Sequence, residues 1–223
     1  MIDIDLKIFD NKKTLVDVRF TIIESLALIG ESGSGKSLTL KALLGLLPKN
    51  LSYKLNGSLP SPISIVVQNP FTALSPLTKI KDHFEVGTTK QQELLKLVGL
   101  DQSFLERYPS ELSGGQLQRV VIALSLSINP NLLLLDEPTT ALDSKTKHDI
   151  LIMIDRLKKE LGFKILYVTH DIESSKFLCE DIAILKKGNI IEKGKVEDVL
   201  NFPKDKYTIK LIESNFKNRG FRK

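Results

Sequence analysis

The sequence predicts an α/β fold built on a mainly parallel sheet, and three features point to it. A continuous apolar run, Leu26 to Ile29, feeds a glycine-rich loop that opens a helix. From residue 132 onward, short apolar runs alternate with helical stretches. Between these halves, residues 69–112 carry helical periodicity without a clear strand. Strands buried on both faces read as unbroken apolar runs, and the helices between them cross over to the next parallel strand.

Each element follows in order. Ile2, Ile4, Leu6 and Ile8 alternate with Asp3, Asp5 and Lys7, which predicts a half-buried strand over residues 2–8. After a turn at Asp10-Asn11 the pattern repeats through Leu15, Val16, Val18, Phe20 and Ile22. Leu40, Leu43, Leu44 and Leu47 share one face of a helix expected to run from Lys36 to Leu47, with Pro48 as its stop. Residues 50–62, with Gly57, Pro60 and Pro62, predict a loop or a sheet edge. Ile63 to Val67 is the next buried strand and ends at Gln68. Helices are expected at Gln91 to Val98 and at Gln116 to Ser127, then from Ser144 to Leu161 and from Asp171. The intervening strands are Leu132 to Leu135 and Ile165 to Val168. Lys187-Gly188-Asn189 is a hairpin turn between two last strands.

Composition bounds the class. A chain of 223 residues with 42% hydrophobic and 26% charged content suits one domain with a real core. The net charge of +5 is spread along the chain, which argues against a nucleic-acid footprint and for a lysine-rich solvated surface. Only Lys217 to Lys223 is densely basic, a tail that either lies against a membrane or stays disordered. The single cysteine, Cys179, excludes an internal disulfide and reads as core filler, in keeping with a reducing cytoplasm. No signal peptide is expected, and no apolar run approaches the ~20 residues of a spanning helix. Membrane association is therefore expected only through a partner.

Gly30-Glu31-Ser32-Gly33-Ser34-Gly35-Lys36-Ser37 fits the P-loop pattern between a strand and a helix. Its glycines let the backbone N–H groups converge on a phosphate at a helix N-terminus. Lys36 is a point charge for the β- and γ-phosphates, and Ser37 offers a hydroxyl to Mg²⁺. Asp136 ends the apolar run Leu132 to Leu135, where a carboxylate calls for a cation such as that same Mg²⁺. Ser113-Gly114-Gly115-Gln116 forms a second anion nest, with an N-cap serine and two glycines ahead of a helix dipole. Among the histidines, His83 and His148 read as structural or surface residues, whereas His170 closes the Ile165–Val168 strand.

The ordered set of P-loop, Leu112-Ser113-Gly114-Gly115-Gln116, Leu135-Asp136-Glu137 and His170 resembles the ATP-binding cassette family, the nucleotide-hydrolysing subunits of ABC transporters. The resemblance implies a P-loop NTPase (RecA-like) core, a small N-terminal antiparallel β-subdomain and a helical subdomain. It extends over residues 1–212, with the core at 1–68 and 116–200, the helical part at about 69–115 and a basic tail at 213–223. It also implies ATP and Mg²⁺ as cofactors. Glu137 would act as general base on water, His170 as the switch histidine at the γ-phosphate, and Gln68 as the Q-loop contact to Mg²⁺ and water. Asp143, in Ala141-Leu142-Asp143, would line the interface of a head-to-tail dimer, in which Ser113 to Gln116 close on the ATP of the opposite subunit. Phe9 serves equally as a core residue or as the aromatic stacked on adenine.

Gln68-Asn69-Pro70-Phe71-Thr72-Ala73-Leu74-Ser75-Pro76 is similar to the Q-loop of the nickel, dipeptide and oligopeptide importers, and Tyr108-Pro109-Ser110-Glu111 points the same way. Pro203-Lys204-Asp205-Lys206-Tyr207-Thr208 resembles their P-x-H-P-Y-T segment, with Asp205-Lys206 in place of His-Pro. Ile23 and Leu38 also depart from the family pattern, and the short span from Ser37 to Gln68 implies a trimmed β-subdomain. The expected partners are a second ATPase subunit, identical or not, two transmembrane permeases and, indirectly, a solute-binding protein. The expected location is the cytoplasmic face of the membrane. Nickel or a nickel chelate is the expected solute, with short peptides or an exporter role as alternatives. A chromosome-type ATPase would need a long coiled coil between the motifs, and a translation factor would need a second P-loop; the sequence has neither.

Overall fold

The structure, a computed structural model, describes residues 1–217. Its elements are β1 (Ile2–Asp10), β2 (Lys13–Ile22), β3 (Ser25–Ile29), α1 (Lys36–Leu43), β4 (Leu51–Asn56), β5 (Ile63–Val66) and α2 (Thr88–Leu97). They continue with α3 (Gly114–Leu126), β6 (Leu132–Asp136), α4 (Ser144–Leu161), β7 (Lys164–Thr169) and α5 (Ile172–Leu178). The last are β8 (Asp181–Lys186), β9 (Asn189–Lys195), α6 (Val196–Asn201) and α7 (Lys206–Lys217). Beyond Lys217 the predicted basic tail lies outside the described residues. The elements group into two compact units, residues 1–60 with the chain from Lys164 onward, and Ser61–Phe163.

In the first unit the strands run in the order β4-β1-β2-β9-β8-β3-β7. β3 pairs in parallel with both β7 and β8, while β1 pairs antiparallel with β2 and β4. All five residues of β3 are buried, as a strand covered on both faces requires, whereas β1 alternates buried with open positions. β4 is the edge strand that residues 50–62 allowed for. It stops where Gly57 turns at φ 111°, a position that requires glycine because a Cβ there would meet the Asp3 carbonyl oxygen at 2.3 Å.

Helix α1 is shorter than expected. Gly45 adopts φ 69°, and the N–H groups of Gly45 and Leu46 donate back to the Ala42 and Lys41 carbonyls at 3.1 and 2.8 Å. This left-handed glycine cap satisfies the last carbonyls and ends the helix before Pro48 can act.

The second unit pairs β5 and β6 in parallel, with Val66 opposite Leu135. Leu132 to Leu135 are fully buried, each worth roughly 1.5–3 kcal/mol of burial. The stretch between the two strands is helical, as predicted, with α2, α3 and several single 3-10 turns. α3 is tied to β5 by the Ser125 hydroxyl, which donates to the Ile65 carbonyl at 2.9 Å. Helix α4 keeps its predicted bounds: Asp143 caps the start and Gly162, at φ 74°, the end. Among the described residues, no helix is long and apolar enough to cross a membrane.

Candidate functional site

The phosphate-loop motif links β3 to α1 in the first unit. Gly30 lies where a Cβ would meet the Leu185 carbonyl at 2.2 Å, and Gly35 turns at φ 113° to begin the helix. Neighbouring strands hold the loop from below. The Gly188 N–H, in the β8–β9 hairpin, donates to the Ser34 carbonyl at 2.8 Å, and the Gly188 carbonyl accepts from the Asp17 N–H at 2.7 Å. Within the loop, the buried Lys36 ammonium donates to the carbonyls of Gly30 and Glu31 at 2.7 and 3.0 Å. The Thr39 hydroxyl, which the sequence reading passed over, donates to the Gly35 carbonyl at 3.0 Å.

The loop fits a phosphate group. Helix α1 starts without a side-chain cap and without an acid in its first turn, so its leading N–H groups suit an external anion. The Ser34 hydroxyl is buried without a hydrogen-bond partner at the same spot. Ser37 is exposed, as a hydroxyl offered to a cation would be, and Glu31, Ser32 and Gly33 are open to solvent.

His170 stands beside this loop in register. Ile29 at the end of β3 pairs with Thr169 at the end of β7, so Gly30 and His170 each follow one member of a register pair. The His170 side chain is exposed. Phe9 is half-buried near the end of β1, just past a bulge that brings it opposite Thr14.

The second unit repeats the arrangement at β5 and β6. Gln68 and Glu137 each lie two residues beyond the register pair Val66–Leu135, and the Gln68 amide donates to the Glu137 carboxylate at 3.4 Å. Thr140, another residue the sequence reading passed over, donates its hydroxyl to the same carboxylate oxygen at 3.0 Å. Glu137 adopts φ 47°, in the left-handed region that costs a residue with a Cβ about 1–2 kcal/mol. The strained turn aims the carboxylate at Gln68. Asp136 precedes it, half-buried at the last position of β6. Within this unit Gln68 and Asp136 offer an amide and one carboxylate, oxygen donors of the kind that Mg²⁺ takes.

Ser113 caps α3 in a capping box: its hydroxyl accepts from the Gln116 N–H at 3.3 Å, and the Gln116 side chain accepts from the Ser113 N–H at 3.0 Å. Gly115 packs closely on α4, since a Cβ there would meet the Thr146 methyl at 2.5 Å and force that side chain to shift. Asp143 caps α4 by accepting from the N–H groups of Lys145 and Thr146, both at 3.1 Å. Hydrogen bonding from Thr146, side chain and backbone, and from the Lys145 N–H holds the Asp143 carboxyl below its ordinary value. Both caps open onto one cavity of about 470 Å³, lined by Ser113, Gly114, Gly115, Gln116 and Asp143 among others. Two helix N-termini thus face a common space, a setting for an anion or for the surface of a partner.

Known proteins share this organisation. The family model for the ABC transporter matches residues 15–140. An oligopeptide transport ATP-binding protein, OppD of Bacillus subtilis, is 34% identical over 86% of this chain, which spans 63% of its length. The metal-staphylopine import system ATP-binding protein CntD of Staphylococcus aureus is 33% identical, over 90% of this chain and 86% of its own. Among solved structures, the ATP-binding cassette MJ0796, in a dimeric post-hydrolysis state bound to ADP and Pi, superposes with a TM-score of 0.70. It is 29% identical and covers 88% of this chain and 99% of its own. With its strand-to-helix phosphate loop and its capped Ser113-Gly114-Gly115-Gln116 turn, the chain belongs to the ABC transporter family, as an ATP-binding cassette.

Proposed function

We propose that this chain binds and hydrolyses MgATP as the nucleotide-binding subunit of an ABC importer. The observation that carries the proposal is the glutamate held for base chemistry: Glu137 sits in a left-handed turn with Gln68 and Thr140 on its carboxylate. Lys36, Ser34 and the N–H groups at the start of α1 bind the phosphates, and Gly30 to Ser37 form the cradle. Ser37, Asp136 and Gln68 would hold Mg²⁺, which when bound would offset the negative charge of the phosphates. Glu137 takes a proton from the water whose oxygen attacks the γ-phosphorus, the bond to the bridging oxygen breaks, and ADP and phosphate leave. Gln68 orients that water and His170 hydrogen-bonds the γ-phosphate. Phe9 supplies the aromatic face for adenine.

In this reading the cassette works as a pair. Ser113, Gly114, Gly115 and Gln116 close on the nucleotide of a second ATPase subunit, and Asp143 lines the interface. The shared cavity at these two caps supports the assignment, and the dimeric MJ0796 cassette offers a parallel. The pair docks on two transmembrane permeases at the cytoplasmic face of the membrane, and a solute-binding protein delivers the cargo. We assign nickel or a nickel chelate as that cargo, in keeping with the Gln68–Pro76 stretch and with the relative named for metal-staphylopine import. A peptide cargo has equal support from the relatives named for oligopeptide and peptide import. The first experiment is nucleotide binding and turnover of the Glu137→Gln and Lys36→Ala proteins. Turnover should vanish in both and binding only in the second; hydrolysis by the Glu137→Gln protein at the wild-type rate refutes the mechanism.

A further inference from the structure

We infer that Tyr207, far outside the phosphate-binding motif, is a positioning residue that fixes the first peptide of the phosphate loop. The Glu31 N–H donates to the Tyr207 hydroxyl at 3.1 Å. The carbonyl of the same peptide unit, that of Gly30, accepts from the Lys36 ammonium at 2.7 Å. Because a trans peptide is planar, with its N–H and C=O at opposite edges, this one unit is gripped from both edges. The Lys36 ammonium carries three N–H donors, so it can hold the Gly30 carbonyl and still offer one to a phosphate. Tyr207 restrains the other side of the same peptide and helps keep the loop in shape for its ligand.

The tyrosine is itself held by a built-in anchor. In β9, the Glu192 carboxylate accepts from the Lys204 and Asp205 N–H groups at 2.8 and 3.1 Å, one on each oxygen. Asp205 in turn accepts from the Tyr207 N–H at 2.7 Å and so fixes the first turn of α7. On the ring's face lies the Lys186 ammonium, 4.6 Å from its centre. Burial, with the nearby Glu31 carboxylate adding to it, raises the phenol above its ordinary value against the opposing Glu31 N–H bond. The hydroxyl therefore stays neutral at physiological pH. The segment from Pro203 to Thr208 thereby couples the seating of the C-terminal helix to nucleotide affinity, an inference that rests on the phosphate loop binding ATP.

The test uses the full chain and the Tyr207→Phe variant, which keeps the ring and its contact with Lys186. Titration with a fluorescent ATP analogue should show affinity weakened about three- to tenfold, the worth of one lost hydrogen bond. Hydrogen exchange should speed up at the Glu31 amide, with the thermal midpoint unchanged. Glu192→Ala should weaken affinity to a similar extent, and the double variant should be no worse than the worse single one, because both act through the same hydroxyl. Lys36→Ala serves as the control. If Lys36→Ala loses binding while Tyr207→Phe matches wild type in affinity and Glu31 exchange, the tyrosine has no positioning role and the phosphate-loop reading survives. If wild type and Lys36→Ala are equally unable to bind, the phosphate-loop reading fails and the inference falls with it.

Discussion

The Gln68 amide meets the Glu137 carboxylate at 3.4 Å because both residues lie two positions beyond the register pair Val66–Leu135. Parallel strands in register deliver their C-terminal residues to one level, which is where open α/β sheets bind ligands. The contact is long for a hydrogen bond, as is common before substrate tightens a site. Thr140 adds a shorter one from the following turn.

The first prediction concerns that pair of donors. Thr140→Val should lower kcat roughly tenfold while leaving KM within about twofold, because the base loses its aim and the phosphates keep their cradle. Gln68→Ala, which also removes a Mg²⁺ donor, should lower kcat and raise KM as well. Steady-state kinetics separate the two terms. A rise in KM with kcat intact would show that these residues serve binding instead.

A second prediction follows from the left-handed backbone at Glu137. Both Glu137→Ala and Glu137→Gly remove the base and should be inactive, yet they should differ in stability. Alanine retains the Cβ that the left-handed region penalises and glycine does not, so the glycine variant should be the more stable by about 1 kcal/mol, net of glycine's larger entropy of unfolding. For a chain of this size that is a midpoint about 2–4 °C higher. Equal midpoints would mean the turn relaxes once the carboxylate is gone.

A third concerns Asp143 and acid. Its carboxyl is held below the ordinary value by Thr146 and the Lys145 N–H, so its folded pKa lies under its unfolded one. Stability from that cap is fully present above about pH 4 and is lost as pH falls through the depressed folded value. Asp143→Ala should therefore lower the thermal midpoint at pH 7, and the gap from wild type should close in acid. Thermal melts from pH 7 down to pH 2 read this directly; a gap that persists in acid would assign the loss to something other than the charge.

How much of this was legible in the sequence depends on whether the signal was local. Helix α4 was expected from Ser144 to Leu161 and keeps those bounds, and the Asp143 cap and the left-handed Gly162 that set them act within a few residues. The phosphate loop and the Leu132–Asp136 strand were legible for the same reason. Gly45 carried an equally local signal that went unread, because the leucine periodicity continues past it to Pro48. The tie of Gly188 to Ser34 and the contact between Tyr207 and Glu31 could not be read at all. Each joins residues far apart in the chain, and only the packing of β8, β9 and α7 around the loop brings them together.

A fourth prediction tests whether the site is composite. In a mixed dimer of one Lys36→Ala chain and one Ser113→Arg chain, one site carries both lesions and the other neither, provided that Ser113 serves the partner's nucleotide. Each pure variant should be inactive, and mixing should restore part of the activity. Mixed dimers isolated by two affinity tags keep the test clean. Failure to recover activity in verified mixed dimers would place the Ser113 cap in its own chain's site, or require both sites to fire together.

The last prediction addresses cargo. In the proposed function the ATPase subunit touches permeases and not solute, so the Gln68–Pro76 resemblance would report transporter lineage. Exposed Phe71 and Leu77, in the stretch after Gln68, are the surface on which a permease helix would dock. Deleting the gene should abolish accumulation of radiolabelled nickel supplied free or as a chelate, and the wild-type gene should restore it. The Glu137→Gln gene should not, because transport needs turnover and not merely a bound nucleotide. Dipeptide uptake measured in the same strains decides between the two cargo assignments. Normal nickel accumulation with dipeptide uptake lost reverses the assignment in favour of peptides, and loss of neither removes both.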